Sequence, residues 1–382
     1  MTQKILPTLI ALLVCASAQA QVNSGSNGSD GAFNSTTNTV INMADHPTGI
    51  YHYTSVNILS GVTVTFIPNA NNTPVVWLVQ SNVVINGMVD VTGKSFLGQG
   101  LQGLDGGPGG YRGGNGGVSA TAGQGIGGGS PGSSSGGCAS YGSLGLGGPS
   151  NNQGDPGAVY GNSFLLPLLG GSGGGGSVLN VYGGGGGGGG AVLIAASGTI
   201  QLDGRIQARG GDGQYGGGGS GGAVRLVTPT IAGSGSIDTL GGSVAGKGRV
   251  RFDTLNYNFG GSIQGVFTQG SQFIILPTPG QGAQLMVTSV AGVPVSAVPT
   301  GGLATPDAVL SAQQNNPIPI VVHCSNIPLN TQITVSVKPA NGAAVSATGL
   351  NNTGTLASST ATVSINMPRG GGLIYATAAT GN

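Results

Sequence analysis

A chain of 382 residues with 80 glycines, 5% charged residues and a formal net charge of +1 excludes several classes at once. Its ten acidic residues are all Asp, and without Lys4 ten cations stand against them, which leaves no basic surplus for nucleic acid. Thr, Asn, Ser, Val and Gly occupy the places where a helical protein would carry Glu, Lys and Leu, and this predicts an all-β fold.

Residues 1–20, MTQKILPTLIALLVCASAQA, contain the parts of a cleavable secretory signal: Lys4, an apolar run over 5–14, and Ala18-Gln19-Ala20. The run is too short for a bilayer, which takes roughly 20 residues. Val14 stands before Cys15 where a lipoprotein signal needs a small residue. Cleavage before Gln21 predicts a secreted protein, extracellular or on the cell surface, without a transmembrane segment. Cys138 and Cys324 then remain and could pair in an oxidising compartment.

Residues 21–97 read as an N-terminal β-solenoid part, with strands expected at 39–43, 50–58, 62–67, 75–79 and 83–91. Residues 75–93 align without a gap on 192–210, placing Ile85 on Leu202, Gly87 on Gly204 and Val89 on Ile206. A third copy, 223–242, fits with one residue fewer, and a fourth begins at Gly248. Short strands repeating around a fixed turn predict parallel β-solenoid-like repeats, continued over 191–259, in preference to a sandwich or propeller.

Between the first two copies lies a glycine-rich insert, 98–190, ending in eight consecutive glycines. It fits either a flexible linker or polyglycine helices packed side by side, and the apolar anchors Tyr160, Phe164 and Leu165 favour the ordered form. From 260 glycine thins. Strands expected at 273–276, 284–289, 309–312, 318–323, 332–338, 361–367 and 373–378 fit an immunoglobulin-like β-sandwich over 260–382.

The blocks YGNSFLLPLLGGSGGGG (160–176), GGGGGGGGAVLIAASGTIQLDG (183–204) and GGGGSGGAVRLV (216–227), with the opening SDGAFNSTTNTVINMADHPTGIYHYTSVNI (29–58), resemble a family of secreted glycine-rich bacterial proteins. The resemblance covers most of 29–255. It implies export and a surface or extracellular role, and no particular activity.

Catalytic patterns are few. The G-x-S-x-G matches at Ser172 and Ser220 arise by chance in glycine runs, and no helix follows either serine. Asp90, Asp203, Asp238 and Asp253 occur singly, as turn residues do, rather than as the paired carboxylates of a glycosidase. Asp45-His46 with His52 lacks a third ligand and reads as a turn, and His323-Cys324 reads as strand packing. No catalytic residue, metal or cofactor is expected.

Tyr111, Tyr141, Tyr160, Tyr182 and Tyr215 sit among Gly, Ser and Asn, the composition of recognition loops. Their rings could equally cover glycine layers that have no side chains. Tyr111, Tyr141 and Tyr215 are the candidate ligand-binding residues, on one exposed surface, for glycans or other surface and matrix components. The expected role is structural or adhesive. A polysaccharide lyase or hydrolase on a β-solenoid is the alternative.

Overall fold

The computed structural model describes residues 22–378 apart from 97–99, 148–151, 180–182, 272, 274, 276–282, 297–298, 300–305 and 340–342. The signal segment 1–20 and Tyr182 lie outside the described residues. The chain is nearly all β, with one short 3-10 turn, Met43–Asp45, and its first sheets are parallel.

The strands come in rungs, each rung a set of up to three. The first holds β1 (Ala32–Ser35) and β2 (Thr39–Asn42). Next come β3 (Ile50–Tyr53), β4 (Ser55–Ile58) and β5 (Thr63–Ile67), then β6 (Val75–Val79), β7 (Val83–Ile85) and β8 (Met88–Asp90). After residues 91–190 follow β9 (Ala191–Ala196), β10 (Thr199–Leu202) and β11 (Arg205–Gln207). The last rungs are β12 (Ala223–Gly233) with β13 (Ser236–Asp238), β14 (Arg249–Phe259) with β15 (Ser262–Gln264), and β16 (Val266–Gly270).

Like positions pair in parallel to give three columns. The first runs β3-β6-β9-β12-β14-β16, the second β1-β4-β7-β10 and then the later halves of β12 and β14, the third β2-β5-β8-β11-β13-β15. The gapless alignment is the observed register: Val75 pairs with Val192, Ile85 with Leu202 and Val89 with Ile206. The residue missing from the third copy falls in the corner, where Val192 opposite Val224 gives way to Thr199 opposite Thr230.

Alternation decides what each strand buries. Val75, Trp77 and Val79 point inward above Val192, Ile194 and Ala196, and Val224 and Leu226 continue the core. Each such aliphatic side chain taken out of water contributes about 1.5–3 kcal/mol. The expected strand 50–58 is broken by a corner at Thr54, 83–91 turns at Asn86-Gly87 where the repeat carries its glycine turn, and β1 was not anticipated.

After its third strand a rung continues into glycine. Residues 91–96, 208–212 and 239–242 leave the third column, and 183–190, 216–222 and 246–248 return to β9, β12 and β14. The amides of 185–190 define the packing. Gly185 and Gly188 donate to Gly114 and Tyr111, Gly186 and Gly189 to Gly217 and Ser220, Gly187 and Gly190 to Lys94 and Val91. The direction of the N–H thus returns every third residue, the period of a polyproline-II-type chain. The carbonyls do likewise: Gly185 and Gly188 accept from Leu104 and Gly107, Gly186 and Gly189 from Gly174 and Gly171, and Gly187 from Gly211. The octaglycine therefore sits among six neighbouring segments. Only glycine fits there, because a Cβ on Gly187 would lie 2.0 Å from the Asp105 carbonyl oxygen and one on Gly188 2.0 Å from that of Gly171.

The remaining strands are antiparallel. β17 (Gln284–Val290), β18 (Val293–Pro294), β19 (Ile318–Ser325), β20 (Gln332–Pro339), β21 (Val345–Leu350), β22 (Thr353–Gly354), β23 (Ser359–Ile365) and β24 (Gly372–Ala378) form sheets β18-β17-β19-β23-β22 and β21-β20-β24, which share one apolar cluster. The strand expected at 309–312 does not form, and Val309 is exposed; sequence reasoning missed β21 and the two-residue strands β18 and β22. Of 273–276, the described residues Phe273 and Ile275 pack on the outer face of the first column instead. Cys138 and Cys324 are free and buried, one in the glycine layer and the other in the antiparallel core.

Candidate binding trough

The corner between the second and third columns is built on glycine. Gly87, Gly204, Gly235 and Gly261 stack so closely that a Cβ on Gly204 would lie 1.9 Å from the Gly87 carbonyl oxygen, and one on Gly261 2.0 Å from that of Gly235. Backbone bonds hold the stack: Arg205 N donates to Gly87 O at 2.8 Å, Ser236 N to Gly204 O at 2.9 Å and Ser262 N to Gly235 O at 3.0 Å. Along this corner runs a shallow, open trough of about 490 Å³ that crosses the rungs.

Its rims are polar. Thr63, Asn86, Ser234, Ser236 and Ser262 bring hydroxyls and an amide, and Asp203 and Arg205 bring one charge each. Asp203 accepts from Gln201 Nε2 at 2.6 Å and from Ser234 N at 3.0 Å and Oγ at 3.3 Å. These bonds, that from Gln201 first, hold the carboxyl below its ordinary range, so Asp203 stays ionised. Arg205 Nε donates to Ser236 Oγ at 3.2 Å. Along one rim Thr63, Met88, Arg205, Ser236 and Ser262 follow rung by rung, about 4.8 Å apart, so polar side chains recur except at Met88.

No family model, no curated protein and no solved structure matches this chain. Among the described residues no helix is long and apolar enough to cross a membrane.

The tyrosines nominated from sequence do not share one exposed surface. Tyr141 is fully buried, stacked on Tyr160 with ring centroids 4.5 Å apart and the Arg249 guanidinium 5.6 Å from its ring centre. Tyr160 donates to Gly170 O at 2.5 Å and accepts from Ser172 Oγ at 3.0 Å. Tyr111 is half-buried, its ring against Gly125. Tyr215 is exposed. The physical reason is that layers of glycine have no side chains with which to fill the space between them, and Tyr141 and Tyr160 fill it.

Other candidates resolve locally. Ser172 and Ser220 are buried in the glycine layer and bond to each other, Ser172 N donating to Ser220 Oγ at 2.8 Å. His46 pairs with Asp30 at 3.3 Å and stacks on Tyr51, so Asp45 is not its partner. Among the described residues no three His, Cys, Asp or Glu side chains gather as metal ligands would. His323 Nε2 lies 2.9 Å from Ser358 Oγ.

One cluster escaped sequence reasoning. Arg225 and Arg251, neighbours in adjacent rungs, both grip the buried Asp253: Arg225 Nη2 at 2.9 Å from Oδ2, Arg251 Nη2 at 2.6 Å from Oδ1. Ile275 O and Ser163 O accept from the two guanidiniums, and Phe164 covers Arg251 with its ring centre 5.0 Å away. The signal was present in AVRLV and RVRFD, where the arginines occupy equivalent places. These side chains point to the outer face of the first column and clamp the 163–164 loop and the 275 segment against it.

Proposed function

We propose that this is a secreted cell-surface or extracellular-matrix protein with a structural or adhesive role, which uses the trough to hold an extended, hydroxyl-rich polymer such as a glycan. The columns with their constant register support reading the body as a parallel β-solenoid, and the two antiparallel sheets around one core support an immunoglobulin-like sandwich. The trough carries the functional reading. Its rims offer side chains of mixed polarity on successive rungs, Thr63, Met88, Arg205, Ser236 and Ser262 along one of them, to a chain that runs along the stack. The competing reading, a polysaccharide lyase or hydrolase, draws on the ionised Asp203 in the same trough. Glycoside hydrolysis ordinarily uses two carboxyl groups, and Asp203 is the carboxylate among the residues lining it.

A glycan array and a polysaccharide-turnover assay on the mature protein separate the two. Binding without turnover, weakened by Arg205→Ala and Ser236→Ala, is expected. Turnover abolished by Asp203→Asn would establish the enzyme instead. The exported protein is expected to start at Gln21 by mass spectrometry.

A further inference from the structure

Where the third column passes into the glycine layer, its outer face carries a second hollow. Thr65 and Asp90 are register partners in β5 and β8, and alternation puts Thr92 on the same side of the chain as Asp90. The 106–108 segment returns alongside, so close that a Cβ on Gly107 would lie 2.0 Å from the Val91 carbonyl oxygen. What remains between them is a narrow crevice of about 90 Å³. Asp90, Thr92 and Lys94 give it polar lining, and Phe66, Pro68 and Pro108 give it apolar lining.

The polar groups are left with capacity to spare. Asp90 accepts from Thr92 N through Oδ1 at 2.9 Å, which leaves its other oxygen available. Thr92 Oγ1 is buried and has no partner among the described residues. A buried hydroxyl without a partner is uncommon in a folded protein and points to one supplied from outside. Among the described residues neither Asp90 nor Lys94 forms an ion pair, with the other or with anything else.

Size and lining together select the occupant. The crevice has room for about three waters at about 30 Å³ each, so it takes a substituent and not a whole sugar ring. The available Asp90 oxygen accepts an N–H, the Thr92 hydroxyl donates to a carbonyl, and the apolar lining takes a methyl group. A carboxylate would meet Asp90, and an ammonium would meet Lys94. A lone hydroxyl would leave the apolar lining bare. An acetamido group, with its N–H, carbonyl and methyl, satisfies all three demands.

We infer that this crevice receives the acetamido group of an N-acetylated amino sugar. The inference rests on the glycan reading for the sugar, while the choice of substituent comes from the crevice alone. Trough and crevice share two strands, Thr63 and Met88 lining the one and Thr65 and Asp90 the other.

Calorimetric titration of the full mature chain tests it with three oligosaccharides: β-1,4-linked N-acetylglucosamine, the same oligomer with its acetyl groups removed, and the matching glucose oligomer. The N-acetylated oligomer is expected to bind about tenfold more tightly than either of the others, the worth of one or two well-made hydrogen bonds. Thr92→Val combined with Asp90→Asn, which keeps an oxygen for Thr92 N, should erase that preference at unchanged Tm. Equal binding of the N-acetylated and glucose oligomers, or a preference that survives the double variant, overturns the inference and leaves the glycan reading in place. Binding of none of the three overturns both.

Discussion

Tyr141 and Tyr160 show what a side chain is for in a protein this rich in glycine. Both rings fill a gap between glycine layers, but Tyr160 uses its hydroxyl, bonding Gly170 and Ser172, whereas the buried Tyr141 hydroxyl has no partner among the described residues. Tyr141→Phe is therefore expected to leave stability unchanged or raise it, and Tyr160→Phe to cost about 1–2 kcal/mol. Tyr141→Ala should cost about 3–5 kcal/mol through the cavity it leaves. Urea denaturation checks all three, and a Tyr141→Phe loss as large as that of the alanine variant would show the hydroxyl to be essential. The carboxylates differ in the same manner. Asp253→Asn abandons two buried guanidiniums and should cost about 3–5 kcal/mol. Asp203→Asn, on the exposed rim, should barely move the midpoint. Equal effects of the two would contradict the burial argument. From sequence these aspartates looked alike, each a lone Asp in a strand-and-turn repeat. What separates them is the cover supplied by the 163–164 loop and Ile275, segments 90 and 22 positions away from Asp253 (253 less 163, 275 less 253), and no local pattern encodes such cover.

At the scale of elements, the octaglycine is held by backbone alone. Gly187→Ala should cost about 3 kcal/mol or more, since the nearest obstacle is a carbonyl that cannot rotate away. Gly260→Ala, where a Cβ meets nothing within 4 Å, should be close to neutral. Slow amide exchange throughout 183–190 is expected beside these values, and exchange at random-coil rates would refute the six-neighbour packing. The repeat copies were legible because a parallel column demands the same residue type at the same place in every rung, so Ile85 and Leu202 had to match. The strands that were missed lie outside that demand. β1 is an end strand with no rung beneath it to impose inward apolar residues, and it reads AFNS. β21 carries VSATGL with every second residue exposed. The segment at 309–312 had a strand-like composition but pairs with no strand among the described residues. The trough was invisible for another reason: each corner glycine looks like any turn glycine until its rungs are stacked.

For the molecule as a whole, stability should depend on pH in two opposed limbs. Burial lowers the Lys338 ammonium to about 8, its Nζ donating to Gly128 O in the contact between antiparallel sheets and glycine layer. Unfolded, Lys338 keeps its proton to about pH 10.4. Between roughly pH 8 and 10 the unfolded chain binds more protons, so stability rises with pH. Burial raises the tyrosines, Tyr51 to about 12 and Tyr53, Tyr141 and Tyr160 further. Above about pH 10 the unfolded phenols ionise first and stability falls. A urea midpoint that peaks near pH 10 is expected, with the rising limb absent in Lys338→Met. A flat profile from pH 8 to 10 in the unmodified protein would remove Lys338 from the account.

The return of the chain to its own register after residues 91–190 has a consequence in time. Val75 and Val192 are neighbours in space and 117 positions apart in sequence (192 less 75), whereas Ala191, Ala223, Arg249 and Val266 follow one another at 32, 26 and 17. Such distant pairing is slow to form. As the chain emerges N-terminus first, β6 to β8 wait with one edge bare until the whole glycine excursion has arrived, while the later rungs add one after another. Nascent chains stalled before residue 191 should therefore be the species that aggregates, and the molecule is most vulnerable when it is half made.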